Sequence, residues 1–539
     1  MCSRPMLRDL FAIALACALL TFPTLVAQKP TTPQKPVLSA EDEQRIKEFK
    51  QFANDPNDKI RAEQMERIAF VDNAEGAGLL VNTGLKDDSF HVRDRATYAL
   101  STMKTPEAIS VIVNGLKNQN EFVQGGCIIA LARMEKRPEG VARDIAVVAE
   151  TARKEEVRIS ACEALGIIGS KDGTKALMSC VVGAPEKVAI AALDSLALVN
   201  DPTAAATAIG ALKGGTWRTQ LAAIHALEVM RVKEGVMPLI DYLAAAEGRP
   251  KDECRKVLER LTQMTLGYNV DNWISWWKRS EADWKFPPPK KEEKEVGGKD
   301  QYGRGVPVYH KMPIVTKKVL FVIDISNSML DEIRVKRGRG EAKDLQFQSS
   351  PKLDLAREEL ASALRALDDN TFFNLCAFET DVRPWQKEPV KATKERIQEA
   401  IRWIEGQKPA TPNNSRSMRQ SDGLNSDGMM AGRTNTYAAL KYVFGFPPGK
   451  PKTGTGGTTG NPRKAGGVGG IDTCFFLTDG EPTEGETTNI DEILADVKVW
   501  NKSAKIKINC VGMSETRGLR TLLDDLAKST GGQCIFVGE

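Results

Sequence analysis

A pattern returning every 31 to 35 residues constrains this chain more than any other feature. Val92-Arg93, Ala96, Ala99 and Leu100 recur in the same spacing as Val157-Arg158, Ala161, Ala164 and Leu165. Variants are Val123, Cys127, Ala130, Leu131; Val188, Ala192, Ser195, Leu196; and Thr219, Ala223, Ala226, Leu227. Degenerate copies start at Ile60-Arg61 and Cys254-Arg255. Positions i, i+4, i+7 and i+8 share one face of a helix. Each period also holds a second apolar helix, for example Ala108, Ile109, Val111, Ile112 and Leu116. Small residues at i+4 and i+7 let neighbouring helices approach closely. Two amphipathic helices per period must stack on their neighbours to bury their faces, which predicts an α-solenoid.

The period and the Val-Arg-x-x-Ala-x-x-Ala-Leu core resemble short HEAT-type repeats, over about residues 45–265. Residues 266–284 break the period, and Trp273, Trp276 and Trp277 at helical spacing are expected to close the last repeat as a hydrophobic cap. An aromatic ligand cage is the sharper alternative. The repeat domain is therefore assigned to residues 45–284, and a Pro-, Lys- and Glu-rich linker to 285–314. At 539 residues the chain exceeds a single hydrophobic core. A formal net charge of +4 gives no argument for nucleic acid as a partner.

Residues 1–27 read as an export signal: Arg4 and Arg8 precede an apolar run from Leu10 that ends in Leu25-Val26-Ala27. Pro23 favours cleavage over an uncleaved anchor, which would be the only membrane attachment. Residues 28–44 form a tether, Pro- and Thr-rich at its start, so the expected location is the periplasm, the cell envelope or the exterior. The eight cysteines beyond the signal never approach CxxC spacing and read as buried small hydrophobes. Three histidines leave little material for a zinc site or a Ser/His triad.

From about residue 305 strands and helices alternate, predicting an α/β, doubly wound and mostly parallel sheet. Val319 to Ile323 reads as a strand buried on both faces, and Asp324, Ser326 and Ser328 follow it on alternate positions. The apolar run Cys474 to Thr478 is likewise followed by Asp479, so both carboxylates are expected at one edge of the sheet. Gly432-Arg433-Thr434-Asn435-Thr436 brings hydroxyls just before a helix, where an N-cap is the simpler use. Carboxylates and hydroxyls together are hard oxygen donors that suit Mg2+, with Mn2+ or Ca2+ as alternatives.

This constellation resembles the von Willebrand factor A domain with its metal-ion-dependent adhesion site, over about residues 315–539. The DxSxS motif matches Asp324, Ser326 and Ser328; Thr434 matches the threonine, and Asp479 the later aspartate. The resemblance implies that Asp324, Ser326, Ser328 and Thr434 contact the ion, with Asp479 bound directly or through water. It also implies a coordination place left for an acidic side chain of a partner. Asp331-Glu332 are similar to the acidic pair that holds an adjacent ion in some relatives.

Three stretches depart from the compact pattern. Residues 331–350 are expected as a long basic loop, and 408–433 as a polar insertion, both rimming the metal face. The Gly-rich stretch 447–470 lacks phosphate-loop spacing and is expected at the opposite end of the sheet. The family usually has a further helix after the last strand, whose shift tunes affinity, so the resemblance does not extend to that switch.

The expected function is non-enzymatic: Mg2+-dependent binding of a Glu or Asp carboxylate on a protein or peptide, with the solenoid as a second docking surface. A structural envelope scaffold with a vestigial metal site is one alternative. A metal-dependent hydrolase is another, for which Asp479 is the one obvious base.

Overall fold

A computed structural model describes residues 38–289, 306–337, 346–409, 433–446 and 467–538. The export signal and most of the tether lie outside the described residues. After α1 (Ala40–Phe52) the chain alternates between two rows of helices. The repeated motif falls in the first row: α2 (Asp58–Ile68), α4 (Phe90–Thr102), α6 (Glu121–Arg133), α8 (Glu155–Ile168), α10 (Glu186–Val199), α12 (Trp217–Met230) and α14 (Gly248–Thr262). The second row is α3 (Ala74–Asn82), α5 (Pro106–Gly115), α7 (Val141–Thr151), α9 (Lys171–Gly183), α11 (Ala205–Gly214), α13 (Val236–Ala245) and α15 (Val270–Ser280).

The motif explains the stacking. Val92, Ala96, Ala99 and Leu100 are all buried. Arg93 donates to the carbonyls of Asp87 and Asp88 at 2.6 and 2.8 Å, and Arg158 to that of Ala149 at 2.8 Å. In these two repeats the basic residue satisfies backbone oxygens of the preceding loop or of the last turn of the preceding helix. A Cβ on Gly115 would lie 2.3 Å from Cys127 Sγ, so the two rows meet there at a distance open only to glycine. At the end of the stack, α15 buries Trp273, Trp276 and Trp277, and Trp284 packs edge-on against the last two. All four tryptophans pack against the core of the helical stack.

Two boundaries move. Ser39 caps α1, so the helical stack begins inside the stretch expected as tether. The short hairpin of β1 (Val308–Tyr309) and β2 (Met312–Pro313) falls inside the expected linker, and Tyr309, Met312 and Ile314 belong to the core of the following domain. Residues 290–305 lie outside the described residues.

That domain is built on β3 (Lys318–Asp324). The basic stretch after it, expected as a loop, is an antiparallel hairpin of β4 (Glu332–Arg337) and β5 (Gln346–Pro351). Ile333 and Val335 alternate with Arg334 and Lys336, the period-two signal of a strand that the charge count hides. The chain continues as α16 (Lys352–Ala366), β6 (Phe372–Phe378), β7 (Val382–Pro384), β8 (Val390–Lys391), α17 (Lys394–Gly406) and α18 (Thr436–Val443). It ends with β9 (Thr473–Thr478), α19 (Ile490–Ala504), β10 (Lys507–Gly512), α20 (Arg517–Thr530) and β11 (Cys534–Phe536). The sheet order is β11-β10-β9-β3-β6-β7, with β8 also paired to β6; β7 and β8 are antiparallel to β6 and the rest is parallel. Val319, Phe321 and Ile323 face α16 and α17, whereas Leu320 and Val322 face α18, α19 and α20. Burial on both faces is why β3 and β9 read as unbroken apolar runs. No helix among the described residues is long and apolar enough to cross a membrane.

The two domains touch along the first row of the solenoid. Helices α2, α4, α8 and α10 of the row meet residues along α19 and its C-terminal cap, and α14 meets β10. Lys59 lies 3.5 Å from Glu492, His91 3.8 Å from Asp496, Glu163 2.9 Å from Lys502 and Asp194 2.7 Å from Lys505. Glu253 pairs with Lys507, and Arg249 donates to the carbonyls of Asp472 and Lys505. Residues 447–466 of the Gly-rich stretch lie outside the described residues. Its remainder leads into the N-terminal end of β9, the end away from Asp479, as expected.

Candidate metal centre

Strand β3 leads outward to β6 on one side, and the chain later returns as β9 on the other side of β3. The C-terminal ends of β3 and β9 therefore flank the point where strand order reverses, where open parallel sheets hold their ligands. Asp324 is the last residue of β3, and Asp479 follows β9 directly.

Beyond Asp324 the chain folds back into one turn of 3-10 helix, Asn327–Leu330. The Ser326 amide donates to Asp324 Oδ1 at 2.7 Å, and Thr478 Oγ1 donates to Asp324 Oδ2 at 2.5 Å. The Ser326 and Ser328 hydroxyls lie 3.1 Å apart, and Ser328 Oγ donates to Asp479 Oδ1 at 2.7 Å. Thr434 is held by the 479–489 loop: its amide donates to Thr483 Oγ1 at 2.9 Å, and its carbonyl accepts from the Thr483 amide at 3.0 Å. A Cβ on Gly480 would lie 3.3 Å from Thr434 Oγ1, so that hydroxyl sits against the residue after Asp479. The N-cap of α18 is Asn435, whose side chain accepts from the Ala438 amide, which leaves Thr434 clear of that duty. All five residues singled out in the sequence stand at one edge of the sheet.

Burial pushes the Asp324 carboxyl up to about 6, helped by the negative charge of Asp479 and opposed by the bonds from Thr478 and Ser326. A carboxylate raised by burial and a like charge is one whose ionised form a cation would favour. Among the described residues no three His, Cys, Asp or Glu side chains gather, so hydroxyls must complete any shell here. Two carboxylates with three hydroxyls fit a hard divalent cation and suit zinc or copper poorly.

Lys352, which no sequence motif singles out, also reaches this edge. Its Nζ lies 2.8 Å from Asp479 Oδ2 and 3.5 Å from the Ser328 carbonyl. Its place at the first turn of α16 was legible; its reach across the sheet edge was not. Asp331 and Glu332 sit at the base of the hairpin. Asp331 is mostly exposed, 3.9 Å from Lys352, and Glu332 accepts from Ser349 Oγ at 2.6 Å. The insertion before Thr434 falls outside the described residues over 410–432.

The family model for HEAT repeats matches residues 46–132, and that for the von Willebrand factor type A domain matches residues 345–420 and 432–536. The chain joins HEAT repeats to a von Willebrand factor type A domain. The second match contains Thr434 and Asp479 but begins after Asp324. It is the parallel pairing of β3 between β6 and β9 that brings Asp324, Ser326 and Ser328 into the same domain.

Two curated relatives are similar over short stretches. Inter alpha-trypsin inhibitor, heavy chain 4, from Mus musculus is 30% identical over 113 residues, 20% of this chain and 10% of that protein. Inter-alpha-trypsin inhibitor heavy chain H3 from Homo sapiens is 33% identical over 93 residues, 17% of this chain and 8% of that protein. The chain thus spans a tenth or less of these relatives. A solved von Willebrand factor type A structure from Catenulispora acidiphila is 16% identical, covering 41% of this chain and 39% of that one at a TM-score of 0.25.

Proposed function

We propose that this chain is an exported, non-enzymatic protein that binds an acidic partner through a divalent ion at the C-terminal edge of its sheet. The supporting observation is the convergence of Asp324, Ser326, Ser328, Thr434 and Asp479 at the strand-order switch, with Asp324 fully buried. Asp324, Ser326, Ser328 and Thr434 would hold the ion, and Asp479 would meet it directly or through water. Mg2+ fits this donor set best, with Mn2+ and Ca2+ as alternatives. The ion supplies a positive centre with a coordination place for a Glu or Asp of the partner.

The chain's own residues do the orienting. The Thr478 hydroxyl and the Ser326 amide fix both oxygens of Asp324, and Thr483 fixes the backbone of Thr434. Such preformed donors reduce the ordering that binding must bring about.

The test is a cross-linking pull-down from envelope extract, with and without chelator, using wild type and Asp324→Ala. A partner captured by wild type in Mg2+ and lost both in chelator and in Asp324→Ala supports the reading. Capture unchanged in excess chelator overturns it.

A further inference from the structure

Two of the buried cysteines meet inside one repeat of the solenoid, both as free thiols. Helix α8 turns back into α9 over Gly169 and Ser170. Near that turn, a Cβ on Gly173 of α9 would lie 3.3 Å from the Leu165 side chain of α8. Farther from it, Arg158 Nε and Cys180 Sγ converge on one acceptor, the Ala149 carbonyl, at 2.8 and 3.4 Å. Cys162 lies on α8 between these two crossings, fully buried, and its thiol donates to the Cys180 sulfur. That bond draws the Cys180 thiol down to about 7, with burial opposing it and Arg158 adding to it. An attacking thiol exchanges fastest when its pKa lies near ambient pH, so Cys180 is suited to open an exchange. The other neighbouring pair, Cys510 and Cys534 in register on β10 and β11, is not: burial and Asp524 push Cys534 up to about 12.

We infer that Cys162 and Cys180 are an oxidisable pair that closes to a disulfide between α8 and α9 by exchange with an external disulfide. The Cys180 thiolate attacks the external disulfide and expels one thiolate from it. Cys162, giving its proton to that thiolate, then attacks the Cys180 sulfur of the mixed disulfide and expels the second. The cysteine pair loses two electrons and two protons, and the reagent leaves as two thiols. Access comes through the end of α9, since terminal turns open most readily. That helix ends at Gly183, one turn past Cys180, where Val182 is exposed and a Cβ on Gly183 would meet nothing within 4 Å. The bond would close a loop of about 18 residues, removing that freedom from the unfolded chain. Cys162 precedes Glu163, the partner of Lys502, so the staple would stiffen a repeat against which α19 rests.

The experiment incubates the reduced full chain with glutathione disulfide, once in the native fold and once during refolding from denaturant. Each sample is then denatured, alkylated and digested for mass spectrometry. The expected product of either treatment is a peptide pair joined through Cys162 and Cys180 and released by dithiothreitol. The joined chain is expected to melt about 5 °C above the reduced one. Cys162→Ala is expected to stop at a glutathione adduct on Cys180, and Cys180→Ala to leave Cys162 unmodified. A wild-type chain in which Cys162 and Cys180 are both alkylated after both treatments overturns the inference. Linkage of either residue to a different cysteine overturns it as well.

Discussion

Both ends of the same sheet carry buried carboxylates; Glu253 against one end and Asp324 at the other are shifted in opposite directions, while burial raises Asp472 as it raises Asp324. At the N-terminal end, Asp472 accepts from the Thr316 and Thr473 hydroxyls, and Arg249 of the solenoid donates to its carbonyl. Beside it, Lys507 at the start of β10 pairs with Glu253 of α14. Burial pushes the Glu253 carboxyl up, but Lys507, Arg249 and Lys256 outweigh it and hold it at about 2. At the C-terminal end, Asp324 is fixed by an amide and a hydroxyl, and its carboxyl is raised to about 6. The first end is a closed set of charges that joins two domains; the second is a carboxylate pair with one lysine. Cations hold Glu253 down, whereas Asp324 takes its hydrogen bonds from an amide and a hydroxyl and is the candidate ligand carboxylate.

The largest expected effect tests the closed end. Arg249→Met should destabilise the chain by about 3–5 kcal/mol, because it removes the buried positive charge beside Asp472 and Glu253 and one donor to each of the Asp472 and Lys505 carbonyls. Thermal unfolding would show this, and faster proteolysis between the domains should accompany it. A melting temperature equal to wild type would mean that the docked arrangement does not depend on this arginine.

Acid should open the same end. A carboxyl held at about 2 when folded contributes stability that is complete above its unfolded value near 4.5 and is lost as pH falls between the two. The gap in stability between wild type and Glu253→Gln should be about 3 kcal/mol at neutral pH and close as pH falls from 4.5 toward 2. A gap independent of pH would remove the ionised pair from the account.

Asp324→Asn tests the other end, and its effect on stability should be smaller and opposite in tendency. In chelator it should melt within about 1 kcal/mol of wild type or above it, since it removes an ionised group that burial disfavours. A loss as large as that of Arg249→Met would erase the contrast between the two ends. Smallest of all, Lys502→Ala removes a largely exposed partner of Glu163 and should change stability by less than about 1 kcal/mol.

Much of this was legible in the sequence, for physical reasons. A solenoid repeats its burial, so its period survives in Val92, Ala96, Ala99 and their equivalents. Strands buried on both faces print unbroken apolar runs, so β3, β9 and the aspartates that end them could be read directly. Side chains brought together only by the fold could not. Lys352 is one lysine among many until α16 is placed beside Asp479, and Arg249 lies 223 residues from the Asp472 carbonyl it binds. The hairpin after Asp324 was hidden because its basic residues read as solvated loop, although Ile333 and Val335 kept the alternation of a strand. The early β1–β2 hairpin was hidden by the Pro- and Lys-rich composition around it.

Calorimetric titration of Mg2+ into the full chain tests most directly whether the C-terminal edge of the sheet holds a divalent ion. Saturable binding of one ion per chain is expected, lost in Asp324→Ala while that variant keeps the circular dichroism spectrum and cooperative melting of wild type. Absence of binding by wild type even at high ion concentration, or equal binding by a folded Asp324→Ala, would contradict it.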